Sequence, residues 1–184
     1  GGGAAVDVQI GEGDQNSSYM PFYTLYNYSL TQQIYTVEEI AAAGGSPGNI
    51  NSIAFNAQTE RTRTIDIYLV HTRKDAFADN TDWIAVTASD KVFSGEVTFA
   101  AGDWTTITFD TTFDYNGVDN LAVIVDDNTG SWTSGGSFKV YDAAGQAIRV
   151  YSDETNYDPE NPAYNGTRMD VKDQIILNMQ TGGG

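Results

Sequence analysis

A period-two alternation of apolar and polar residues, repeated in short segments, constrains the fold of this 184-residue chain most strongly. It is clearest in TIDIYLV, NLAVIVD and DQIILNM. Side chains two positions apart share one face of a β-strand, so each segment predicts a strand with a buried face. The residues that we expect to point inward are Ile65, Ile67, Leu69, Leu121, Val123, Val125, Ile175 and Leu177.

Turn-forming sequences separate these segments, at a spacing typical of β-sandwiches. Two capping boxes, Thr36 with Glu39 and Thr72 with Asp75, predict short helical turns. The sequence therefore predicts an all-β fold: a single antiparallel β-sandwich of jelly-roll type with one or two short helical turns. This module would span residues 4–181, with 1–3 and 182–184 as glycine linkers or added ends.

Acidic residues outnumber basic residues by 25 to 9, which gives a formal net charge of −16. Such a charge disfavours nucleic acid and anionic membrane surfaces, because both bind through clustered Lys and Arg. No apolar run approaches the roughly 20 residues of a membrane-spanning helix. A neutral sugar or a cation such as Ca²⁺ suits this chain better as a ligand.

Catalytic signatures are weak. The chain has no cysteine, which excludes disulfides, thiolate metal sites and cysteine nucleophiles. His71 is the only histidine, and the chain has no G-x-S-x-G elbow for a serine hydrolase. We interpret His71 as a hydrogen-bonded structural residue, and we expect no catalytic site.

Aromatic residues are concentrated in PFYTLYNYSLTQQIYT, residues 21–36. Most of these rings are expected to pack in the fold, with Tyr19 and Tyr23, near the start of this stretch, as exceptions that reach a ligand. Trp132 lies in the Gly/Ser loop NTGSWTSGG, which has little local core for a large ring to join. An exposed tryptophan there predicts a platform for stacking on a sugar.

Other aromatic and amide residues take secondary roles in this prediction. Tyr157 and Tyr164, in the acidic segment that contains prolines, are further candidates for ligand binding. Asn128 could donate a hydrogen bond to a sugar hydroxyl.

Three acidic clusters offer oxygen ligands for calcium, which binds six to eight oxygens. They are Asp7 with Glu12 and Asp14, the turn at residues 126–128, and residues 153–161. None fits the EF-hand spacing. We favour Asp126, Asp127 and Asp7 as ligands of a structural calcium, without deciding between the clusters.

The order of motifs resembles a known kind of module. The run includes VQIGEG, YMPFYTLYNYSLTQQIYTVEEI, INSIAF, RTIDIYLVHTRKDAF, TDWIAV, VFSGEVTF, WTTITFDTTFDYNGVDNLAVIVDDNTGSW and TRMDVKDQIILN. From Val8 to Asn178 the chain resembles β-sandwich (jelly-roll) accessory modules of secreted and cell-surface proteins of gut and oral anaerobic bacteria. Those modules are similar to cleaved-adhesin, MAM-like and carbohydrate-binding modules. The resemblance implies an extracellular, non-catalytic accessory or adhesion domain beside neighbouring domains, often with a structural calcium. It also implies that Trp83 in TDWIAV and Trp104 in DWTTITF are buried.

These observations predict a non-catalytic carbohydrate-binding module of a secreted or surface protein. It would bind a neutral polysaccharide or glycan through exposed aromatic residues and would be stabilised by calcium. The alternative is a protein-interaction, adhesin or structural spacer domain without a sugar site. Fold alone does not decide between them, because one fold serves many functions.

Overall fold

The computed structural model describes residues 4–181, which form an all-β fold. The linkers or added ends predicted at residues 1–3 and 182–184 lie outside the described residues. The strands are β1 (Ala5–Ile10), β2 (Asn16–Ser17), β3 (Tyr28–Tyr35), β4 (Gly48–Ala57), β5 (Arg61–Thr72), β6 (Lys91–Phe99), β7 (Asp103–Tyr115), β8 (Asn120–Asp127), β9 (Phe138–Ser152), β10 (Thr167–Asp173) and β11 (Ile175–Thr181). One α-helix, α1 (Val37–Ala42), and one 3-10 turn (Ala88–Asp90) complete these elements.

The strands form two antiparallel sheets that pack face to face. The front sheet has the order β1-β11-β4-β7, and the back sheet has the order β10-β9-β3-β8-β5-β6. β9 joins the two sheets, because Phe138 at its start pairs with β4 whereas residues 147–152 pair with β3. The predicted all-β sandwich is confirmed, while the jelly-roll type stays a prediction.

The core between the sheets consists of the alternating apolar residues. All eight residues predicted to point inward have 0% of their surface exposed, so that prediction is confirmed. Residues of β5 and β8 in the back sheet pack there with residues of β4, β7 and β11 in the front sheet. Burying one such side chain contributes about 1.5–3 kcal/mol, so this layer holds the two sheets together.

The back sheet also buries its second face. Leu30, Ile34, Tyr68 and Ile124 project from that face into a second cluster, which we call the outer cluster. Side chains from the loops 73–90 and 153–166 cover it, namely Phe77, Trp83, Val86 and Tyr157. Every residue of β8 is therefore buried. This explains why NLAVIVD is almost continuously apolar, as is typical of a strand covered on both faces.

One of the two predicted helical turns is present. The hydroxyl of Thr36 accepts from the Glu39 amide and the Glu39 carboxylate accepts from the Thr36 amide, which caps α1 as predicted. The prediction at Thr72 is wrong: this residue ends β5, and Asp75 instead accepts a hydrogen bond from Asn120. Within residues 4–181, no helix is long and apolar enough to cross a membrane.

Trp83 and Trp104 differ in burial, and this difference predicts different effects of their substitution on stability. Trp83 lies in the outer cluster, 8% exposed, and its Nε1 donates to the main-chain oxygen of Tyr164 at 2.8 Å. Trp104, also expected to be buried, is only half-buried. We expect Trp83→Ala to lower the free energy of unfolding by about 3–5 kcal/mol. Trp104→Ala should cost clearly less in the same denaturant titration, and equal losses would contradict this account of the outer cluster.

Candidate functional site: an aromatic groove

Residues 18–27 form an irregular segment that leads into β3. The strand begins only at Tyr28, so residues 18–27 do not show the alternation of faces of a strand. Phe22 turns inward, is 1% exposed and packs edge-on against Phe99 at 5.3 Å between ring centroids. Tyr23 and Tyr26 stay half-buried at the surface. The segment thus separates one core ring from two rings that face solvent.

The loop that carries Trp132 is fastened to this segment around Thr24. The Thr133 amide donates to the Thr24 main-chain oxygen at 2.9 Å, and the Thr24 hydroxyl donates to the Ser134 oxygen at 3.0 Å. The Gly136 amide in turn donates to that hydroxyl at 3.1 Å. Although the loop folds back on the protein, the Trp132 side chain remains 67% exposed, in agreement with the prediction of exposure.

These two segments enclose a shallow groove, which we call the aromatic groove. Its volume is about 350 Å³, and its lining residues are Tyr23, Leu25, Tyr26, Trp132 and Asp153. Four of the five offer apolar or aromatic faces, and the fifth is a carboxylate. One Asp153 oxygen accepts from the main-chain amide of Asn27 at 3.2 Å, which holds this acid beside the rings. The groove therefore combines flat apolar surface with one strong hydrogen-bond acceptor.

A cluster of tyrosines continues the groove across the back sheet. Tyr151 on β9 lies 4.8 Å from Tyr23 and 4.4 Å from Tyr26, measured between ring centroids. Tyr19 lies 4.7 Å from Tyr23. Burial raises the pKa of Tyr23, and the neighbouring phenols add to that shift. The Tyr23 hydroxyl is therefore neutral at physiological pH and available as a hydrogen-bonding group.

Sequence reasoning found Tyr19, Tyr23 and Trp132 but missed Tyr26 and Tyr151. Tyr151 reaches the cluster because β9 pairs with β3, which sets Tyr151 opposite Ser29. The residues around Tyr151 in the sequence contain no signal that predicts the pairing of β9 with β3. For Tyr26, the turn-like sequence TLYN, which interrupts the strand pattern, is a signal that could have indicated a surface position.

A buried ion pair supports both walls of the groove. Arg63 and Asp127 have side chains 1% and 0% exposed, with Nη2 and Oδ2 2.7 Å apart. Arg63 Nη1 donates to the main-chain oxygen of Ser131 and Nη2 to that of Tyr26, each at 2.9 Å. Burial raises the pKa of Asp127, while Arg63 and Thr129 oppose that shift. One guanidinium thus connects the Trp132 loop, the tyrosine segment and β8.

The carboxylates predicted to bind calcium do not form a common site. Asp127 is the counter-ion of Arg63, and Asp7 lies on β1 of the front sheet, where it accepts from Asn178. Asp126 projects from the opposite face of β8 to Asp127. Within residues 4–181, no group of three or more His, Cys, Asp or Glu side chains could hold a metal ion. These three residues therefore do not fit a calcium ion together, and calcium stays a prediction.

The remaining predicted ligand contacts do not line the groove. Tyr157 is 9% exposed and packs at 4.6 Å against the half-buried Tyr164 beside the outer cluster. The loop that carries both rings covers the outer face of the back sheet. Because that face is apolar, the loop packs apolar side chains against it. The main-chain amide of Asn128 donates to the Thr64 oxygen at 2.8 Å, and its side-chain Nδ2 donates to the main-chain oxygen of Asp126 at 3.4 Å. Tyr157, Tyr164 and Asn128 therefore lie outside the aromatic groove, and their part in ligand binding stays a prediction.

The single histidine is tied into the fold. His71 Nε2 accepts from the main-chain amide of Asn116 at 3.0 Å, and its ring lies 4.8 Å from that of Phe113. Burial lowers the pKa of His71, while Asp119 and Asp114 oppose that shift. The hydrogen bond is the one expected of a structural histidine.

The chain matches no protein-family model, no curated protein and no solved structure. The resemblance to accessory modules of bacterial surface proteins therefore remains a prediction from the sequence.

The Arg63–Asp127 pair generates a stability prediction. Asp127→Asn leaves the buried guanidinium without its counter-ion, so we expect a loss of about 3–5 kcal/mol in the free energy of unfolding. The control is Asp82→Asn at the more exposed Lys74–Asp82 pair, where about 1 kcal/mol or less should be lost. Denaturant titrations at neutral pH measure both. Similar losses in the two variants would show that the buried pair has no special role.

Asp126 generates a prediction about pH. Its Oδ1 is buried without a hydrogen-bond partner, and burial, with a smaller contribution from Asp66, raises its pKa to about 7. Asp127 also raises this pKa, whereas Asn128 and Lys91 lower it. Because the folded state favours the protonated acid, stability contributed by Asp126 is full below about pH 4 and is lost as the pH rises towards 7.

Asp126→Asn removes this dependence, since an amide does not ionise. Relative to the parent, the variant should gain stability between about pH 4 and 7, by at most about 1.4 kcal/mol for each unit of the pKa shift. Melting curves across this range measure the difference, and parallel pH profiles would contradict it. Calcium that binds at Asp126 would instead raise the melting temperature of the parent and not of the variant, and EDTA would reverse that effect.

Proposed function

We propose that this domain is a non-catalytic, extracellular carbohydrate-binding module that binds a neutral sugar residue in the aromatic groove. The observation that carries the proposal is the exposed ring of Trp132, held beside Tyr23 and Tyr26 by a fastened loop. A large exposed apolar ring on a loop with many hydrogen bonds is a feature that folding alone does not require. The sequence resemblance to accessory modules supports the extracellular setting.

The groove offers the two kinds of contact that sugars use. The flat face of Trp132 suits the apolar C–H face of a pyranose ring. Asp153 can accept hydrogen bonds from sugar hydroxyls, and the Tyr23 and Tyr26 hydroxyls can donate or accept them. The groove is open, so it suits one or two residues of a chain rather than an enclosed small molecule.

Charge favours an uncharged residue at this position. Asp153 lines the groove and the chain carries a net charge of −16, so an anionic group placed directly on Trp132 would be repelled. Stacking and a few exposed hydrogen bonds give modest affinity, so we expect a dissociation constant of roughly micromolar to millimolar for one module.

A protein-interaction or spacer domain is the second candidate, and β1 is the observation that favours it. Among the described strands, β1 pairs only with β11 and therefore forms an edge of the front sheet, with Val6 45% exposed. An exposed strand edge can pair with a strand of a neighbouring domain. This candidate predicts concentration-dependent self-association or domain contacts and no retention on glycans.

The carbohydrate proposal is tested with Trp132→Ala. We expect this variant to lose most retention on a panel of neutral polysaccharides in affinity electrophoresis, with a melting temperature near that of the parent. The matched control is Val118→Ala, which removes another exposed apolar side chain, 75% exposed, from the β7–β8 turn. It should bind as the parent does. A Trp132→Ala variant that unfolds, or that retains full binding, would remove Trp132 as the platform.

A further inference from the structure

We propose that Arg149 forms a second subsite next to the aromatic groove and binds the carboxylate of an acidic sugar residue. The inference rests on the proposed glycan-binding function and specifies its ligand: a polysaccharide with both neutral and uronic residues. The neutral residue would lie on Trp132 and the uronic residue at Arg149.

Arg149 is held rigidly by its neighbours. It lies on β9 between Thr31 of β3 and Thr167 of β10. Its guanidinium carbon is 3.8 Å from the ring centroid of Tyr19, and its Nε donates to the sulfur of Met169 at 3.1 Å. A guanidinium stacked on an aromatic ring loses little further freedom when it binds a ligand.

The charge of Arg149 is not neutralised within the described chain. In residues 4–181, its two Nη atoms donate no hydrogen bond and it pairs with no carboxylate. Most other basic residues have oxygen partners, either carboxylates or main-chain carbonyls; these residues are Arg61, Arg63, Lys74, Lys91, Lys139, Arg168 and Lys172. Although the chain has 25 acids, none of them pairs with Arg149, so the Nη atoms of Arg149 are free to bind a ligand.

A pocket of about 220 Å³ adjoins this arginine. Its lining residues are Arg149, Val150, Tyr151, Asn165, Gly166 and Thr167, so residues with a guanidinium, a phenol, an amide and a hydroxyl border one space. Free N–H groups at the edge of a guanidinium match the two oxygens of a carboxylate in a bidentate pair. Asn165 and Thr167 can bond the hydroxyls of the same sugar residue.

The tyrosine cluster connects this pocket to the aromatic groove. Tyr19 contacts both Arg149 and Tyr23, and Tyr151 lines the pocket while its ring contacts Tyr23 and Tyr26. A single glycan chain could therefore lie along the rings and reach both subsites. The net negative charge does not prevent this, because salt largely screens exposed charges that lie beyond about 8–10 Å.

The alternative is that Arg149 serves only to clamp Tyr19 against the sheet. In that case Arg149→Gln would change the melting temperature without changing any preference between acidic and neutral ligands. The two roles are separated by altering the ligand instead of the protein. Chemical reduction of uronic carboxyl groups to alcohols removes the charge and keeps the polysaccharide backbone.

The experiment uses glucuronoxylan and hyaluronan, which each contain uronic and uncharged residues, and their carboxyl-reduced forms. We expect the parent to bind at least one native polymer about tenfold more tightly than its reduced form, the effect of one charge-assisted contact. Arg149→Gln should lose that preference, and Arg149→Lys should keep part of it. The control Arg73→Gln removes the same charge at an exposed position outside both subsites, and it should keep the full preference.

Equal binding of native and reduced polymers by the parent would overturn the Arg149 subsite and leave the groove proposal standing. So would retention of neutral polysaccharides alone, or a preference that survives Arg149→Gln. If the parent binds neither these polymers nor any neutral polysaccharide, the proposed function fails and the subsite fails with it. Loss of the preference in Arg149→Gln and not in Arg73→Gln supports the subsite.

Discussion

The aromatic groove depends on the ion pair between Arg63 and Asp127. Both side chains are buried at the ends of adjacent strands, where a charge without a partner would be strongly destabilising. The guanidinium has more donors than one carboxylate can use, and its remaining N–H groups bind the main-chain oxygens of Tyr26 and Ser131. Two irregular segments are thereby bound to one strand. This ion pair therefore holds the rings of the groove in place, together with their packing on one another and the hydrogen bonds at Thr24.

The same fold explains why a binding surface lies at this place. One face of the back sheet packs on the front sheet, and the outer cluster with its loops covers the other face. Arg149 and Tyr151 point away from the outer cluster, because Ile148 and Val150 occupy the alternate positions of β9. There, tyrosines of segment 18–27 contact Arg149 and Tyr151. Aromatic rings on this part of the back sheet are therefore not covered by the outer cluster.

The sequence predicted the local features well and the non-local ones poorly. Period-two alternation identified Leu121 and Val123 as core residues, because the buried face of a strand can be recognised from residues close together in the sequence. Asp127 was predicted to bind calcium because it lies in an acidic turn. Its actual partner, Arg63, is 64 positions away in the sequence, and only the pairing of β5 with β8 brings the two together. Tyr157 was a candidate for ligand binding because of its acidic segment, yet that loop folds over an apolar sheet face and leaves Tyr157 only 9% exposed. The positions of Asp127 and Tyr157 therefore depend on contacts between segments that are distant in the sequence.

The rigidity of the aromatic groove affects the affinity that weak ligand contacts can give. Trp132 and Tyr23 are large rings on segments fixed by hydrogen bonds, so little conformational entropy is lost when a ligand stacks on them. Each contact alone gives low affinity. Two subsites on one continuous row of rings allow a single polysaccharide chain to engage both, and the second contact then forms at a high effective concentration. Moderate binding of a repeating polymer therefore needs no deep pocket, which agrees with the shallow groove between the Trp132 loop and the tyrosine segment.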